Sequence, residues 1–319
     1  MVDELNSPPR PLDMRPPAVH AHSHTSRPDL PEMGTLQNLT QKIQRKLRRL
    51  YQRYIGSRWS RSGKAPAVWG VSYSVFDGEE LLEYSLRSIR EATDYINVVY
   101  QTKSWYGEPC ADDLLDVLHQ CQAAGLIDEL IEFVPDLSKT PRTLELEKRS
   151  LGLQHAIRAG CTYFMTLDCD ELFIPSELVA AKEFIVEHGI TTSYIVEVKY
   201  SYTPRHRQLD HGGCIAFFSA IDRDSVLGRN DWQAPYFVDS TRKISPPAYA
   251  ARYHVLGKMI RVHHMELVRK DLQRKTKNSS WNEGGGTWEL PPPGPDENEK
   301  VLTGSYVIVE DRFNIRFCQ

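Results

Sequence analysis

No stretch of this 319-residue chain approaches the roughly 20 apolar residues that a membrane-spanning helix needs. Met1 to Pro31 holds proline, histidine, serine and charge where a secretory leader would hold an apolar core. Charge of one sign is also lacking. A formal net charge of -3 predicts no global attraction to nucleic acid or anionic lipid, so any such attraction has to be local. The six cysteines have no C-x-x-C spacing, which argues against a zinc site and a dense disulfide framework. Reduced thiols in a cytoplasmic setting are the expectation. Neither G-x-x-x-x-G-K-S/T nor G-x-G-x-x-G occurs, which weakens P-loop and dinucleotide-binding readings. There are no internal repeats.

What is present is ordinary for a globular protein: 40% hydrophobic and 25% charged residues, on a chain long enough for a substantial core. Residues 1–34 read as a disordered proline-rich tail. Residues 35–62 read as a basic amphipathic helix, with Leu36, Leu39, Ile43, Leu47, Leu50 and Tyr54 on one stripe and no acid among the intervening lysines and arginines of Lys42 to Arg53. Two readings of that helix stay open. It can lie on an anionic membrane surface, giving peripheral contact at the cytoplasmic face. It can equally pack on the domain or a partner chain with its basic face solvated.

A domain over residues 65–282 follows, then a C-terminal loop and extension over 283–319. Ala67 to Val75, Tyr95 to Gln101, Glu129 to Val134 and Tyr163 to Leu167 are short β-branched or aromatic runs. Segments of helical spacing separate them: one after Asp77-Gly78, then Leu114 to Ala124, then Leu144 to Arg158, which stops at Gly160. Strand and helix alternating in this way predict an α/β fold with right-handed crossovers and a mostly parallel sheet. Ligands of such sheets bind beyond the carboxyl ends of the strands. Further on, Pro175 to His188 reads as a helix, Ser193 to Tyr202 and Cys214 to Ile221 as strands, and Arg223 to Ala251 as irregular chain. Arg261 to Val268 reads as a return to the sheet before a basic helix over Arg269 to Asn278.

Leu167-Asp168-Cys169-Asp170-Glu171-Leu172-Phe173 is the segment richest in chemistry. It places three carboxylates within four residues at a strand end. Such a group is costly unless a hard divalent cation, which prefers oxygen ligands, sits among it. With the chain extended, Asp168 and Asp170 share one side and Cys169 takes the other. Asp170 is then the expected metal ligand, Asp168 a ribose or second metal contact, and Glu171 a supporting acceptor. The competing reading is a helix N-terminus leading into Pro175, where acids suit the dipole.

The order of strand, acid, helix, strand, then Lys148-Arg149-Ser150-Leu151-Gly152-Leu153, Ala156, Gly160 and Tyr163 to Glu171, resembles the GT-A fold and, within it, the inverting family-2-type glycosyltransferases. The likeness runs from Val68 to Phe173 and resumes at His263 to Lys275. Ser150 stands where the family has Asn, and Cys169 is in the middle of the D-x-D. The resemblance implies transfer of a sugar from a nucleoside diphosphate donor, UDP rather than GDP, to a hydroxyl of a glycan or glycoconjugate, with Mn²⁺ or Mg²⁺. It implies nucleotide contacts at Val75, Phe76 and Asp77, with Gln101 and Lys103 on the same rim, and a role for Arg149 toward the base-binding loop or a phosphate. It further implies a C-terminal histidine on the metal or diphosphate. Adjacent strand positions face opposite ways, so only one of His263 and His264 can reach the site; His264 is favoured. Arg269 and Lys275 would neutralise the leaving diphosphate. The acceptor's general base is sought in the irregular segment, first at Asp231 beside Trp232 and then at Asp239. The alternatives are a nucleotidyltransferase acting on a sugar phosphate, or a catalytically inactive docking protein of the same fold.

Overall fold

A computed structural model describes residues 67–209, 213–228, 238–245, 253–284 and 306–316. The expected tail and basic helix lie outside the described residues, as do Asp231 and Trp232.

The apolar run after residue 67 forms β1 (Trp69–Val75), in which Val71, Tyr73 and Val75 are fully buried. Gly78, at φ 89°, turns the chain into α1 (Glu79–Ile89), whose first turn carries Glu79 and Glu80, the favourable sign for the helix dipole. Leu81, Leu82 and Leu86 of α1 are fully buried. Each such side chain contributes about 1.5–3 kcal/mol over leaving it exposed. Next come β2 (Tyr95–Tyr100), α2 (Leu114–Ala123) and β3 (Glu129–Glu132). Helix α3 (Pro141–Arg158) has Thr140 accepting from the Thr143 amide as N-cap and Pro141 in its first turn, and Gly160 at φ 83° follows its end. β4 (Tyr163–Asp168) completes a block of four strands in spatial order β4, β1, β2, β3, every pair parallel.

Helix α3 lies close on this block because of one residue. A Cβ added at Gly152 would fall 1.9 Å from Ser72 Oγ and 2.7 Å from Ser72 Cβ, and the Gly152 carbonyl accepts from Asn97 Nδ2 at 3.0 Å. The glycine of the family-like segment is therefore where helix and sheet make their closest approach.

Beyond β4, where the regular alternation of strand and helix ends, the sheet is mixed. After β5 (Glu171–Leu172) and α4 (Pro175–Glu187) come β6 (Thr192–Ser201), β7 (His206–Gln208) and β8 (Cys214–Ala220). β8 is antiparallel to both β4 and β6, and β7 is antiparallel to β6. β9 (Tyr253–Val255) and β10 (Arg261–Leu267) run parallel to β6. β11 (Tyr306–Ile308) pairs antiparallel with β7, so the C-terminal segment joins the sheet. The basic helix α5 (Leu272–Asn278) starts after Asp271, whose side chain accepts from the Arg274 amide, leaving Arg269 in the preceding loop.

Two pairings position the site. Ser74 of β1 sits beside Asp168 of β4, at the carboxyl edge of the parallel block. β10 pairs antiparallel with β5, setting His264 beside Glu171 and His263 beside Leu172. Among the described residues no helix is long and apolar enough to cross a membrane. The five described cysteines are all free thiols.

Candidate functional site

A cleft of about 580 Å³ opens at the carboxyl edge of β1 and β4, and all four residues of the acidic run line it. The run is not extended. Residues 169–170 form a turn between β4 and β5, and Cys169 lies on the cleft as well, its Sγ 2.8 Å from the Asp77 carbonyl. Backbone bonds hold this turn: the Met265 amide donates to the Asp170 carbonyl at 2.8 Å, and Ser85 Oγ to the Glu171 carbonyl at 2.5 Å. The helix-cap alternative fails, since α4 begins at Pro175 with Ile174 as its uncapped N-cap.

The carboxylates are compensated by side chains drawn from distant segments. Arg149, buried on α3, donates from Nη2 to Asp168 Oδ1 at 2.8 Å and to Glu145 Oε1 at 2.9 Å, and from Nη1 to Thr166 at 3.0 Å. It is no exposed helical arginine; it acts on Asp168. Arg242 follows Asp239 on a 3-10 turn (Ser240–Arg242) and grips both Glu171 oxygens at 2.8 Å while its Nη2 bonds Asp168. Arg269 and Lys275 both reach Asp170 Oδ2 at 2.5 Å. His264 Nε2 stands 3.4 Å from the same oxygen, and its Nδ1 bonds Glu197.

These pairings set the ionisation states. Burial alone would raise Asp168 and Asp170. Arg149 and Arg242 outweigh it at Asp168, and Lys275, Arg269 and His264 at Asp170, so both are held below the usual carboxylate range. Glu171 is raised, because its burial outweighs Arg242. Burial works against a charged His264, but Asp170 and Glu197 together push it up to about 10. Lys148, buried with Nζ on the Val75 carbonyl at 2.7 Å and 5.4 Å from the Trp105 ring, is pushed down to about 7 by burial and by Arg149.

Sequence reasoning placed Phe76 and Asp77 at the nucleotide, and both line the cleft. Arg274 lies 5.6 Å over the Phe76 ring and 2.9 Å from Asp77 Oδ1. Val75 is a fully buried core residue that offers only its carbonyl, to Lys148. Gln101 is buried and donates to the Lys103 carbonyl at 2.8 Å, and Lys103 is exposed. Neither Gln101 nor Lys103 lines the cleft. Asp239 does line it, but its Oδ1 takes Arg142 at 2.8 Å and the Thr241 amide at 2.8 Å. Burial would raise Asp239; Arg149, the Thr241 amide, Arg242 and Arg142 bring it below its ordinary value.

Among the cleft residues that escaped the sequence reading are Arg242, Glu145, Lys148 and Glu197. A lone arginine in irregular chain has no pattern to announce it. Lys148 and Glu145 sit on the helix of the family-like segment, where the buried face was the available signal.

Two further observations concern ligands. Arg269 Nε and Nη1 are buried without an acceptor, a cost of about 1–3 kcal/mol for such a donor. A Cβ at Gly78 would fall 1.9 Å from Arg269 Nη1, so the glycine makes room for this guanidinium. Among the described residues no three of the His, Cys, Asp and Glu side chains are grouped as a metal cage. Asp170 offers the oxygen donors that Mn²⁺ or Mg²⁺ prefers, while His264 could ligate only as the neutral imidazole, after losing the proton that Asp170 and Glu197 hold on it.

No family model matches the chain, and comparison with curated proteins finds no relative. Among solved structures, the chain is similar to S. aureus TarS 1-349 in complex with UDP-GlcNAc, at 16% identity and TM-score 0.33, over 41% of this chain and 35% of that one. The same fragment in complex with UDP gives TM-score 0.32 at 16% identity, over 41% of this chain and 36% of that one. A glycosyltransferase involved in the glycosylation of the major capsid of PBCV-1 gives TM-score 0.22 at 16% identity, over 41% of this chain and 52% of that one. The chain spans about a third of the length of TarS 1-349. Scores this low carry neither fold nor activity across, so function has to be read from the cleft.

Proposed function

We propose that the protein is a glycosyltransferase that moves a sugar from a nucleoside diphosphate donor to a hydroxyl acceptor in this cleft. The observation that carries the reading is Arg269: a buried guanidinium tied to Asp170 through one nitrogen, with two others lacking any acceptor, at the carboxyl edge of a parallel block. A buried cation with unmet donors beside an acidic turn suits a ligand that is itself strongly anionic, such as a diphosphate. UDP-sugars are the first donors to test.

The residues have separable tasks. Phe76 and Asp77 border the nucleotide's base and ribose, and Arg149 keeps Asp168 ionised and oriented toward them. Arg269 and Lys275 turn from Asp170 to the diphosphate as it leaves, placing positive charge where negative charge develops. Mn²⁺ or Mg²⁺ held by Asp170 and His264, with Asp168 as a further ligand, would supply Lewis-acid neutralisation of the same leaving group. The acceptor hydroxyl needs a base on the far side of the sugar. Asp239 lines the cleft and stays ionised, though its bonds to Arg142 and Thr241 lower its basicity. Asp231 is the other choice, carried by sequence alone. An inverting, single-displacement course rests on the resemblance of the Lys148 to Leu153 and Asp168 to Glu171 segments.

The test is a donor screen with Mn²⁺, scored by release of nucleoside diphosphate and by thermal stabilisation. The expected result is UDP release that Asp170→Asn abolishes and a chelator suppresses. The reading fails if no UDP- or GDP-sugar binds in the presence of metal and Asp170→Asn alters nothing.

A further inference from the structure

β10 has a second face. Arg261 and His263 alternate with His264 along the strand, and they line a separate pocket of about 280 Å³. Tyr200 of β6, Arg207 of β7, Lys258 of the loop before β10 and Arg312 after β11 line it too. Four permanent cations thus face two lining carboxylates, Glu177 and Glu310. Among the described residues, none of the four cations is in an ion pair. This contrasts with the cleft, where Arg149, Arg242, Arg269 and Lys275 all hold carboxylates.

The pocket also has a built floor. His263 is 7% exposed, packs its ring 5.1 Å from Phe313, and bonds the Tyr200 hydroxyl through Nδ1 at 2.8 Å. Nε2 has no partner among the described residues. The tautomer with its proton on Nε2 accepts from Tyr200 at Nδ1 and offers Nε2–H to an anion. Asp311, next to the lining Glu310, accepts the Phe313, Asn314 and Ile315 amides instead of pairing with these cations. An uncompensated set of guanidinium groups around a half-enclosed histidine matches the multiple oxygens of a phosphate group, to which arginine donates in pairs.

We propose that this pocket is a second binding site, for a phosphate group, on the face of β10 opposite the cleft. It does not depend on the transferase reading. The phosphate can belong to a small soluble molecule or to a lipid headgroup, which the experiment separates.

Inorganic phosphate and pyrophosphate are titrated into the full chain while the imidazole NMR signal of His263, assigned with His263→Gln, is followed. A saturable shift of that signal is expected. In the Arg261→Gln/Arg312→Gln variant, losing two charge-assisted contacts weakens the site by about tenfold or more. Arg269→Gln, which alters only the cleft, leaves the shift in place. Lys258→Gln/Arg261→Gln is the second variant, and thermal melts check that both fold. In a parallel arm, the chain is co-sedimented with phosphatidylcholine vesicles with and without phosphatidic acid. Capture by phosphatidic acid that falls in both variants assigns a lipid headgroup; a shift with phosphate or pyrophosphate alone assigns a soluble ligand. The proposal is overturned if neither arm responds, or if the responses survive in both variants.

Discussion

The two faces of β10 solve opposite electrostatic problems with neighbouring histidines. On the cleft face His264 stands between Asp170 and Glu197, inside a network where Arg149, Arg242, Arg269 and Lys275 each hold a carboxylate. On the reverse face His263 stands among Arg207, Arg261 and Arg312, which have none. Their pKa values part accordingly, to about 10 for His264 and to about 4 for His263. The difference teaches that burial alone does not fix a histidine's state. His263 is buried and the His264 side chain nearly so, and burial disfavours the charged form of each; only the sign of the neighbours separates them.

The largest effect expected on this comparison comes from Asp170→Ala. It strands Arg269 and Lys275 in a buried site, and breaking a buried pair in this way costs about 3–5 kcal/mol. Urea unfolding measures that loss, and donor turnover should vanish with it. A fall below about 1 kcal/mol would mean the pairing is exchanged for water in solution.

Gly152→Ala is a perturbation remote from β10. Its Cβ meets Ser72 at 1.9 Å, and overpacking of this kind costs about 1–3 kcal/mol. It should leave the separation between the two histidines intact, which imidazole NMR checks.

Opposite pH slopes sharpen the comparison most directly. Between about 4 and 6.5 the unfolded chain binds a proton at His263 that the folded chain refuses, so stability rises with pH across that window. Between 6.5 and about 10 the folded chain keeps a proton at His264 that the unfolded chain releases, so stability falls as pH rises. His263→Gln should flatten the acid limb and His264→Gln the alkaline limb, read from unfolding midpoints taken across the acid and the alkaline window. If each substitution flattens the other's limb, the assignment of faces is wrong. The smallest effect is Tyr200→Phe, which removes the bond to His263 Nδ1 for a loss of about 1 kcal/mol and leaves the alkaline limb unchanged.

The parallel block was legible because its cues are local. Apolar runs of strand length alternate with helical spacing, Gly78 and Gly160 mark turns at positive φ, and each element's burial follows its own pattern. The placement of Asp168 and Asp170 at a strand end was legible for the same reason. What the sequence hides is pairing across long separations. Arg242 reaches Glu171 from 71 positions away, and β10 meets the two residues of β5 from a distant part of the chain. Three neighbouring acids can be balanced without a metal ion, here by side chains from α3, the 3-10 turn and the loop after β10, none of which is near them in the sequence. Taking the acidic run as extended also missed its turn, since alternation of faces holds only while the strand continues. Strand geometry alone said that His263 and His264 face opposite ways; that His264 lines the cleft and His263 the other pocket depended on the strands packed beside β10 and on the chain after β11.

The pairing of β10 with β5 spans only two registered positions, yet it joins the acidic turn to Arg269 and Lys275 just beyond the strand. A chain that has formed its parallel block but not yet docked β10 exposes Asp170 without these cations. Assembly of the cleft is therefore the step that relieves like-charge repulsion at the sheet's edge.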